Sequence, residues 1–348
     1  MKLLAPKKRK IAVFFTGGLG DTLLLVPLLK ELRRKEFIVT CIFYSKYDND
    51  CLFDSKLYNS KVHLHSKLSL LWYALSKFKH FANIYINHLG GGKAIATAAM
   101  LCSKRVTKTG QHDGTKRKRK VIDELKDAEQ NLYLLYSQPN ALLRSVTECY
   151  LPAPTLQLSL NKKILSGNAP YFVVQVSAGN NTTPFKNWPM HYWLDLVQLF
   201  CSVHKNIDLI ILGDRSETGY AKAFNDLGFD NCKVLIGKTS VEELFNIVAQ
   251  SDGYIGLDSG IMHMAAALKK KTLTIFGASN EKLYGYADLD PGDHKVIHSS
   301  IGCRPCSSWK NANTSRVTDP MQCPDFACLS SIAPAFVLEQ LIEHFHLV

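Results

Sequence analysis

Aspartate, serine and glycine stand together where one apolar run gives way to another, in Asp258-Ser259-Gly260. Tyr254 to Leu257 before them reads as a short buried strand. Ile261 to Leu268 after them is rich in Ala, Leu and Met and reads as a helix, with Lys269-Lys270-Lys271 suited to its C-terminus. A strand that turns through small residues into a helix points free backbone N–H groups at whatever lies beyond the turn. Such an end suits an anion, phosphate above all. An ordinary strand–turn–helix without a ligand fits the same residues. The pattern occurs again near the start, where Ile11 to Phe15 is followed by Thr16-Gly17-Gly18-Leu19-Gly20, then Asp21, then a helical stretch from Leu23 to Lys35. Asp21 falls at or near the expected helix N-cap. Neither G-x-G-x-x-G nor G-x-x-x-x-G-K-[ST] is present, so a nicotinamide or P-loop reading has little support.

Between these two stretches the chain alternates strand and helix patterns, which implies an α/β protein with doubly wound parallel sheets. Strands are expected at Phe37–Tyr44, Ile84–Asn87, Arg105–Thr109, Phe172–Val176, Ile207–Leu212, Val234–Ile236 and Thr272–Phe276. Helices are expected at Leu68–Phe81, Ile95–Ser103, Asp123–Tyr136, His191–Val203, Tyr220–Leu227, Val241–Gln250 and Ala335–His344. Proline-bearing breaks at Leu151–Pro154 and Lys162–Pro170 mark a boundary. The expected domains are residues 1–160, residues 168–332, and a final helix in 333–348 that could pack back on the first domain. Ligands of open α/β sheets bind beyond the carboxyl ends of strands. Asp21, Lys186, Glu217 and Asp258-Ser259-Gly260 all lie at such ends, and a cleft between two such sheets is a common small-molecule site.

Charge is divided unevenly. Residues 1–150 hold 26 Lys and Arg against 12 Asp and Glu, whereas residues 151–348 hold 16 against 18. The basic half should meet a polyanion: nucleic acid, an anionic membrane surface or a multiply charged substrate. Lys116-Arg117-Lys118-Arg119-Lys120 is the feature that favours a nucleic-acid-binding protein. No nucleic-acid module accompanies it, and the charge is carried on a loop. No apolar run is long enough to span a membrane and none resembles a signal-peptide core, so a cytoplasmic protein is expected. Of ten cysteines, four cluster as Cys303-x-x-Cys306 and Cys323-x4-Cys328. That spacing permits a zinc site or two disulfides. Paired tight knuckles are missing and the cytosol disfavours disulfides, so neither metal nor cofactor is expected.

Four segments, in this order and spacing, carry a family resemblance: Gly17-Gly-Leu-Gly-Asp21, Lys186-Asn-Trp-Pro189, Gly213-Asp-Arg-Ser-Glu217 and Asp258-Ser-Gly-Ile-Met-His263. Together they resemble the ADP-heptose–lipopolysaccharide heptosyltransferases of glycosyltransferase family 9. The resemblance implies the GT-B architecture, with two Rossmann-like domains facing each other across a cleft. It also implies inverting, metal-independent transfer of a heptose from a nucleotide-sugar donor to a lipid A–core lipooligosaccharide acceptor. The donor would lie on the C-terminal domain and the acceptor on the basic N-terminal one, with peripheral contact to the anionic inner membrane and no nucleic acid as partner. Another nucleotide-sugar on the same fold, or a sugar-nucleotide epimerase, remains an alternative.

Displacement at an anomeric carbon needs a base for the acceptor hydroxyl and positive charge for the leaving diphosphate. The resemblance assigns the base to Asp21. Lys186, with the helix start at Ser259-Gly260, is expected to hold the diphosphate, and Thr182 and Thr183 to donate hydroxyl bonds. Glu217 could accept from ribose hydroxyls or serve as a first-turn helix acid. Asp258 could orient its turn, contact the sugar or make a local turn bond. For His263, packing or capping competes with a phosphate contact, and Trp188 reads as an anchor. On the acceptor side the expected residues are Gly18, Gly20, Lys93, Arg105, Lys116 and Arg117.

Overall fold

The computed structural model describes residues 9–44, 52, 55–86, 93–103, 105–108, 169–178, 183–306 and 323–347. The expected helices at 123–150, the basic run 116–120, Thr182 and residues 151–168 of the expected boundary lie outside the described residues. The chain divides into two compact units, Met1–Arg144 and Ser145–Val348.

In the first unit the described elements are β1 (Lys10–Phe15), α1 (Leu19–Leu23), α2 (Val26–Arg34), β2 (Ile38–Phe43), β3 (Ser60–His63), α3 (Lys67–Ser76), β4 (Asn83–Ile86), α4 (Lys93–Cys102) and β5 (Val106–Lys108). The sheet runs β3-β2-β1-β4-β5, and every pairing is parallel. Its central strand β1 is buried from Ile11 to Phe15, because a strand covered on both faces must be apolar throughout. Ala12 and Phe14 face a core built with Ile42, Ile84, Leu70 and Ala99. The helix expected from Leu23 to Lys35 is α2, and a separate short turn of helix, α1, precedes it. Pro27, in the first turn of α2, has no N–H to bond the carbonyl four residues back, so the chain breaks and restarts there.

The second unit contains β6 (Tyr171–Gln175), α5 (Met190–Val203), β7 (Asp208–Leu212), a 3-10 turn (Arg215–Tyr220), α6 (Ala221–Asn225), β8 (Cys232–Val234), α7 (Val241–Gln250), β9 (Gly253–Leu257), α8 (Gly260–Ala267), β10 (Lys271–Phe276), α9 (Glu281–Tyr284), β11 (His294–His298), α10 (Ala327–Ser330) and α11 (Pro334–Phe345). Its all-parallel sheet runs β8-β7-β6-β9-β10-β11, the 3-2-1-4-5-6 order of a dinucleotide-binding sheet. Strand β11 was not expected. The final helix packs on this same unit, against α5 and β10. Its Phe345 ring lies 4.5 Å from that of Phe172, and a Cβ on Gly253 would come within 2.3 Å of it. Glycine at 253 is therefore what lets the helix close on the sheet.

Both sheets reverse direction at their first strand. In the first unit the chain builds outward from β1 to β3, then crosses to β4 on the other side. In the second it builds from β6 to β8, then crosses to β9. The loops that follow β1, β6 and β9 thus open at switch points, where crevices form in open α/β sheets. Those loops carry Asp21, Lys186 and Asp258.

Candidate active site

Strands β6 and β9 are hydrogen-bonded neighbours, so the loops beyond their carboxyl ends meet. Lys186 Nζ lies 2.7 Å from Asp258 Oδ2, and the two side chains are 13% and 3% exposed. The ammonium also sits 5.6 Å from the centre of the Tyr284 ring. Burial alone would push the Asp258 carboxyl up. The Lys186 ammonium outweighs it, helped by His263 and by hydrogen bonds from Lys186 and Ser279, and holds the group below the usual carboxylate range. Lys186 is therefore not a solvated loop lysine, and Asp258 does more than close a turn.

The Lys186 loop is tied down at several points. Thr183 Oγ1 donates to the Ala178 carbonyl at 2.7 Å, and the Ala178 N–H donates to Asn187 Oδ1 at 2.8 Å. Trp188 is buried, and its Nε1–H donates to the Ile332 carbonyl at 3.0 Å, so it is the anchor the sequence suggested. Thr183 is itself buried.

Ser259 is the N-cap of α8 in extended conformation, but its hydroxyl does not cap the helix. It turns back instead to the Gln175 side-chain oxygen and the Tyr254 hydroxyl. Tyr254 lies over Gly256, whose Cβ would stand 2.3 Å from the phenol oxygen. That oxygen accepts from the Leu257 N–H at 3.0 Å and reaches Gln175 Oε1 at 3.1 Å. Gln175 completes the network by donating to the Ser177 carbonyl at 2.9 Å. A buried, mutually bonded polar set of this kind fixes the backbone above it. Here it fixes the turn Asp258-Ser259-Gly260. Gly260 is the first residue of α8. One turn on, His263 is buried, and its Nδ1 lies 2.8 Å from the Tyr286 hydroxyl. Beyond β10, Arg304 bonds the Gly277 carbonyl at 3.0 Å and pairs with Glu281 at 2.9 Å.

Two acids use one device in separate units. Asp21 Oδ2 accepts the Gly18 N–H at 2.9 Å, and a Cβ on Gly17 would lie 2.2 Å from that oxygen. Glu217 Oε2 accepts the Asp214 N–H at 2.9 Å, and a Cβ on Gly213 would lie 2.5 Å from it. In each case an acid three residues into the helical turn folds back over a glycine. Asp21 is accordingly not the N-cap. Gly18 holds that position, and Asp21 stands at the third helical residue. Glu217 is buried in its cap, whereas Asp21 is half-buried. Gly20 lies within α1, Lys93 opens α4 as an exposed residue, and Arg105 is exposed just before β5. Lys116, Arg117 and Thr182 lie outside the described residues.

The four clustered cysteines make no disulfide with one another. Cys328 is buried, and burial with the neighbouring thiols of Cys306, Cys323 and Cys303 pushes its pKa up to about 11. Among the described residues, no group of three or more histidine, cysteine or acidic side chains is arranged to hold a metal ion.

The pairing of Lys186 with Asp258, 72 residues apart, leaves no mark in the sequence. Gln175, Tyr254, Tyr286 and Arg304 carry no sequence signal for the same reason: each is a single residue that topology brings to the site. The order of the strands was the one available signal, since it sends the loops after β6 and β9 to the same crevice.

Two doubly wound parallel-sheet units, with such a turn at a switch point, define the GT-B class of α/β proteins. Its solved members similar to this chain include the ADP-heptose lipopolysaccharide heptosyltransferase II of Escherichia coli, with a TM-score of 0.69 at 17% identity over 97% of this chain and 98% of that one. A glycosyltransferase family 9 protein of Veillonella parvula gives a TM-score of 0.74 at 14% identity, over 99% of both chains. An iron-containing dodecameric glycosyltransferase, TibC of enterotoxigenic E. coli, gives 0.59 at 18% identity, over 99% of this chain and 77% of that one. In sequence, lipooligosaccharide heptosyltransferase 2 of Campylobacter jejuni is 26% identical over 97% of this chain and its own whole length. Residues 93–315 match glycosyltransferase family 9 (heptosyltransferase), and the chain belongs to that family.

Proposed function

We propose that this glycosyltransferase moves a heptose from ADP-heptose to the inner core of lipopolysaccharide or lipooligosaccharide, with inversion at the anomeric carbon and without a metal ion. The carrying observation is the buried Lys186–Asp258 pair beside the start of α8. It puts a held cation and a helix N-terminus at one switch point, the two elements that a departing diphosphate needs. The names of the relatives support heptose as the sugar and a lipid-linked core as the acceptor.

In this reading the acceptor hydroxyl attacks the anomeric carbon while the bond from that carbon to the diphosphate oxygen breaks. ADP leaves with the electron pair. Lys186, released in part from Asp258, and the α8 amides take up its charge. The hydroxyl proton passes to Asp21, which its bond from Gly18 N–H keeps aimed. Thr182 would add a hydroxyl donor. Thr183 acts through the loop, since its hydroxyl already bonds Ala178. Glu217 and Ser259 shape the loops that face the nucleotide, and His263 supports the first turn of α8. Lys93, Arg105, Lys116 and Arg117 would meet the anionic core sugars, and Gly18 and Gly20 let the acceptor approach the backbone. The enzyme would work at the cytoplasmic face of the inner membrane as a peripheral protein, because its acceptor is lipid-borne.

The test is ADP release from ADP-heptose by metal-stripped protein, with a heptose-deficient, deacylated core oligosaccharide as acceptor. Release that depends on the acceptor and persists in chelator, with inverted configuration in the product, is the expected result. Release without acceptor, turnover only with GDP- or UDP-sugars, or activity restored only by a metal would overturn the corresponding part.

A further inference from the structure

Helix α3 is apolar on two faces, and only one of them is covered. Leu70 and Ala74 are buried in the core of the first unit. Leu68, Leu71, Trp72 and Leu75 recur at the 3–4 residue spacing of a single helical stripe, and all are at least half exposed, Trp72 reaching 67%. Phe78 extends the stripe just past the helix end and is 55% exposed. A helix hydrophobic all round is ordinarily buried all round, and a continuous exposed apolar patch marks an interaction surface.

The charge around the patch has one sign. From Asp54 to Asp113 the sequence holds nine Lys and Arg and, between those two residues, no Asp or Glu. Lys67 opens α3, and Lys77, Lys79 and His80 follow it. His80 is pushed below its ordinary pKa by partial burial and by the neighbouring charges of Lys10 and Lys77. A leucine-and-tryptophan stripe rimmed by cations alone is the composition of a surface that lies in the headgroup region of an anionic bilayer. A second copy fits less well, because symmetric pairing would bring the lysine rims together. Nucleic acid fits less well too, since three of the five stripe residues are leucines, which offer bases no stacking face. Among the described residues no helix is long and apolar enough to cross a membrane, so the contact would be interfacial.

We infer that the exposed stripe Leu68, Leu71, Trp72, Leu75 and Phe78 of α3, with its lysine rim, is the surface by which this protein docks on anionic lipid. The inference rests on the reading that the acceptor is lipid-borne, and it gives that reading a definite point of attachment.

The experiment is flotation of the full chain with vesicles of one part phosphatidylglycerol to two parts phosphatidylcholine, and with phosphatidylcholine alone. Wild type should float with the anionic vesicles and not with the neutral ones. Tryptophan emission should shift to the blue on binding, and that shift should vanish in Trp72→Phe. Leu71→Gln/Leu75→Gln should weaken partitioning by about a hundredfold, the scale expected for withdrawing two leucines from the interface. Its melting temperature, and its turnover on a deacylated, water-soluble acceptor, should match wild type. Should that variant fold poorly, Lys67→Gln/Lys79→Asn should lose binding to the same vesicles, asparagine being suited to the left-handed φ of 47° at Lys79. Equal flotation of wild type and both variants would overturn the inference, as would a wild-type dimer that the leucine variant splits. Absence of wild-type turnover on the soluble acceptor would count against the transferase reading instead, so the two failures are distinguishable.

Discussion

Replacing Asp258 by asparagine tests the pair on which the donor site depends. Lys186 Nζ and Asp258 Oδ2 stand 2.7 Å apart, with little of either side chain in water. Removing one charge of a buried pair leaves the other unbalanced and typically costs about 3–5 kcal/mol. The Asp258 carbonyl at 3.5 Å and the Tyr284 ring soften the loss, so about 3 kcal/mol is expected for Asp258→Asn. For a unit the size of Ser145–Val348, that corresponds to a fall in melting temperature of about 6–12 °C. Lys186→Met should cost a similar amount. The double variant should cost clearly less than the two together, by a coupling of about 2 kcal/mol or more, because each single change strands the other partner. ADP supplies a further reading. In Asp258→Asn the diphosphate no longer competes with that carboxylate for Lys186, so saturating ADP should raise the melting temperature more than in wild type, and in Lys186→Met it should raise it less. The pH dependence has a fixed sign. Asp258 titrates below its ordinary value near 3.8, so its contribution is whole above that pH and is lost as pH falls through its lower folded-state value. The gap between wild type and Asp258→Asn should therefore close only under strongly acidic conditions. Additive losses in the cycle, within about 0.5 kcal/mol, would refute the pairing as an energetic unit. An ADP shift unchanged by Lys186→Met would refute its role at the diphosphate.

Asp21→Asn keeps an oxygen for the Gly18 N–H and removes the base, so turnover should fall by about 10²–10⁴-fold while melting temperature and donor KM hold; a wild-type rate would leave Asp21 a cap alone. Gly17→Ala should drive its new Cβ into the Asp21 carboxylate, which stands at 2.2 Å, and lower kcat with ADP affinity by calorimetry unchanged. His294 should make the fold acid-sensitive. Burial lowers its pKa to about 4, and its Nε2 has no partner among the described residues, so the unfolded chain takes up a proton below about 6.5 that the fold refuses. Stability should drop by up to about 3 kcal/mol as pH falls from 6.5 to 4, and His294→Gln should flatten that slope in denaturant titrations at stepped pH.

The sequence announced the parts of this molecule better than their meetings. Continuous apolar runs such as Ile11–Phe15 and Phe172–Val176 could only be covered strands, and small residues after them could only be turns, so both parallel sheets were legible. Strand β11 was not, because His294–His298 mixes charge and apolar groups and is defined by its pairing with β10. Asp21 looked like an N-cap because acids favour that position. Its actual place, three residues in and folded back over Gly17, depends on backbone angles that composition does not encode. The aromatic helix after Ser66 was visible as a helix, yet its second apolar face could not be told from a core face until burial separated Leu70 and Ala74 from Leu71 and Trp72. Lys186 and Asp258 each stood out at a strand end, whereas their bond is a product of the crossover from β8 to β9.

Trp188 ties the loop that bears Lys186 to the carbonyl of Ile332, near the far end of the chain. The same tail lays Phe345 against β6 through Phe172. Shortening the chain before Ile332 would delete no group assigned to chemistry, yet it would cut the mooring of the cation that faces the departing nucleotide. Because Ile332 lies 144 residues beyond Trp188, a growing chain cannot moor that lysine until this distant segment has been made.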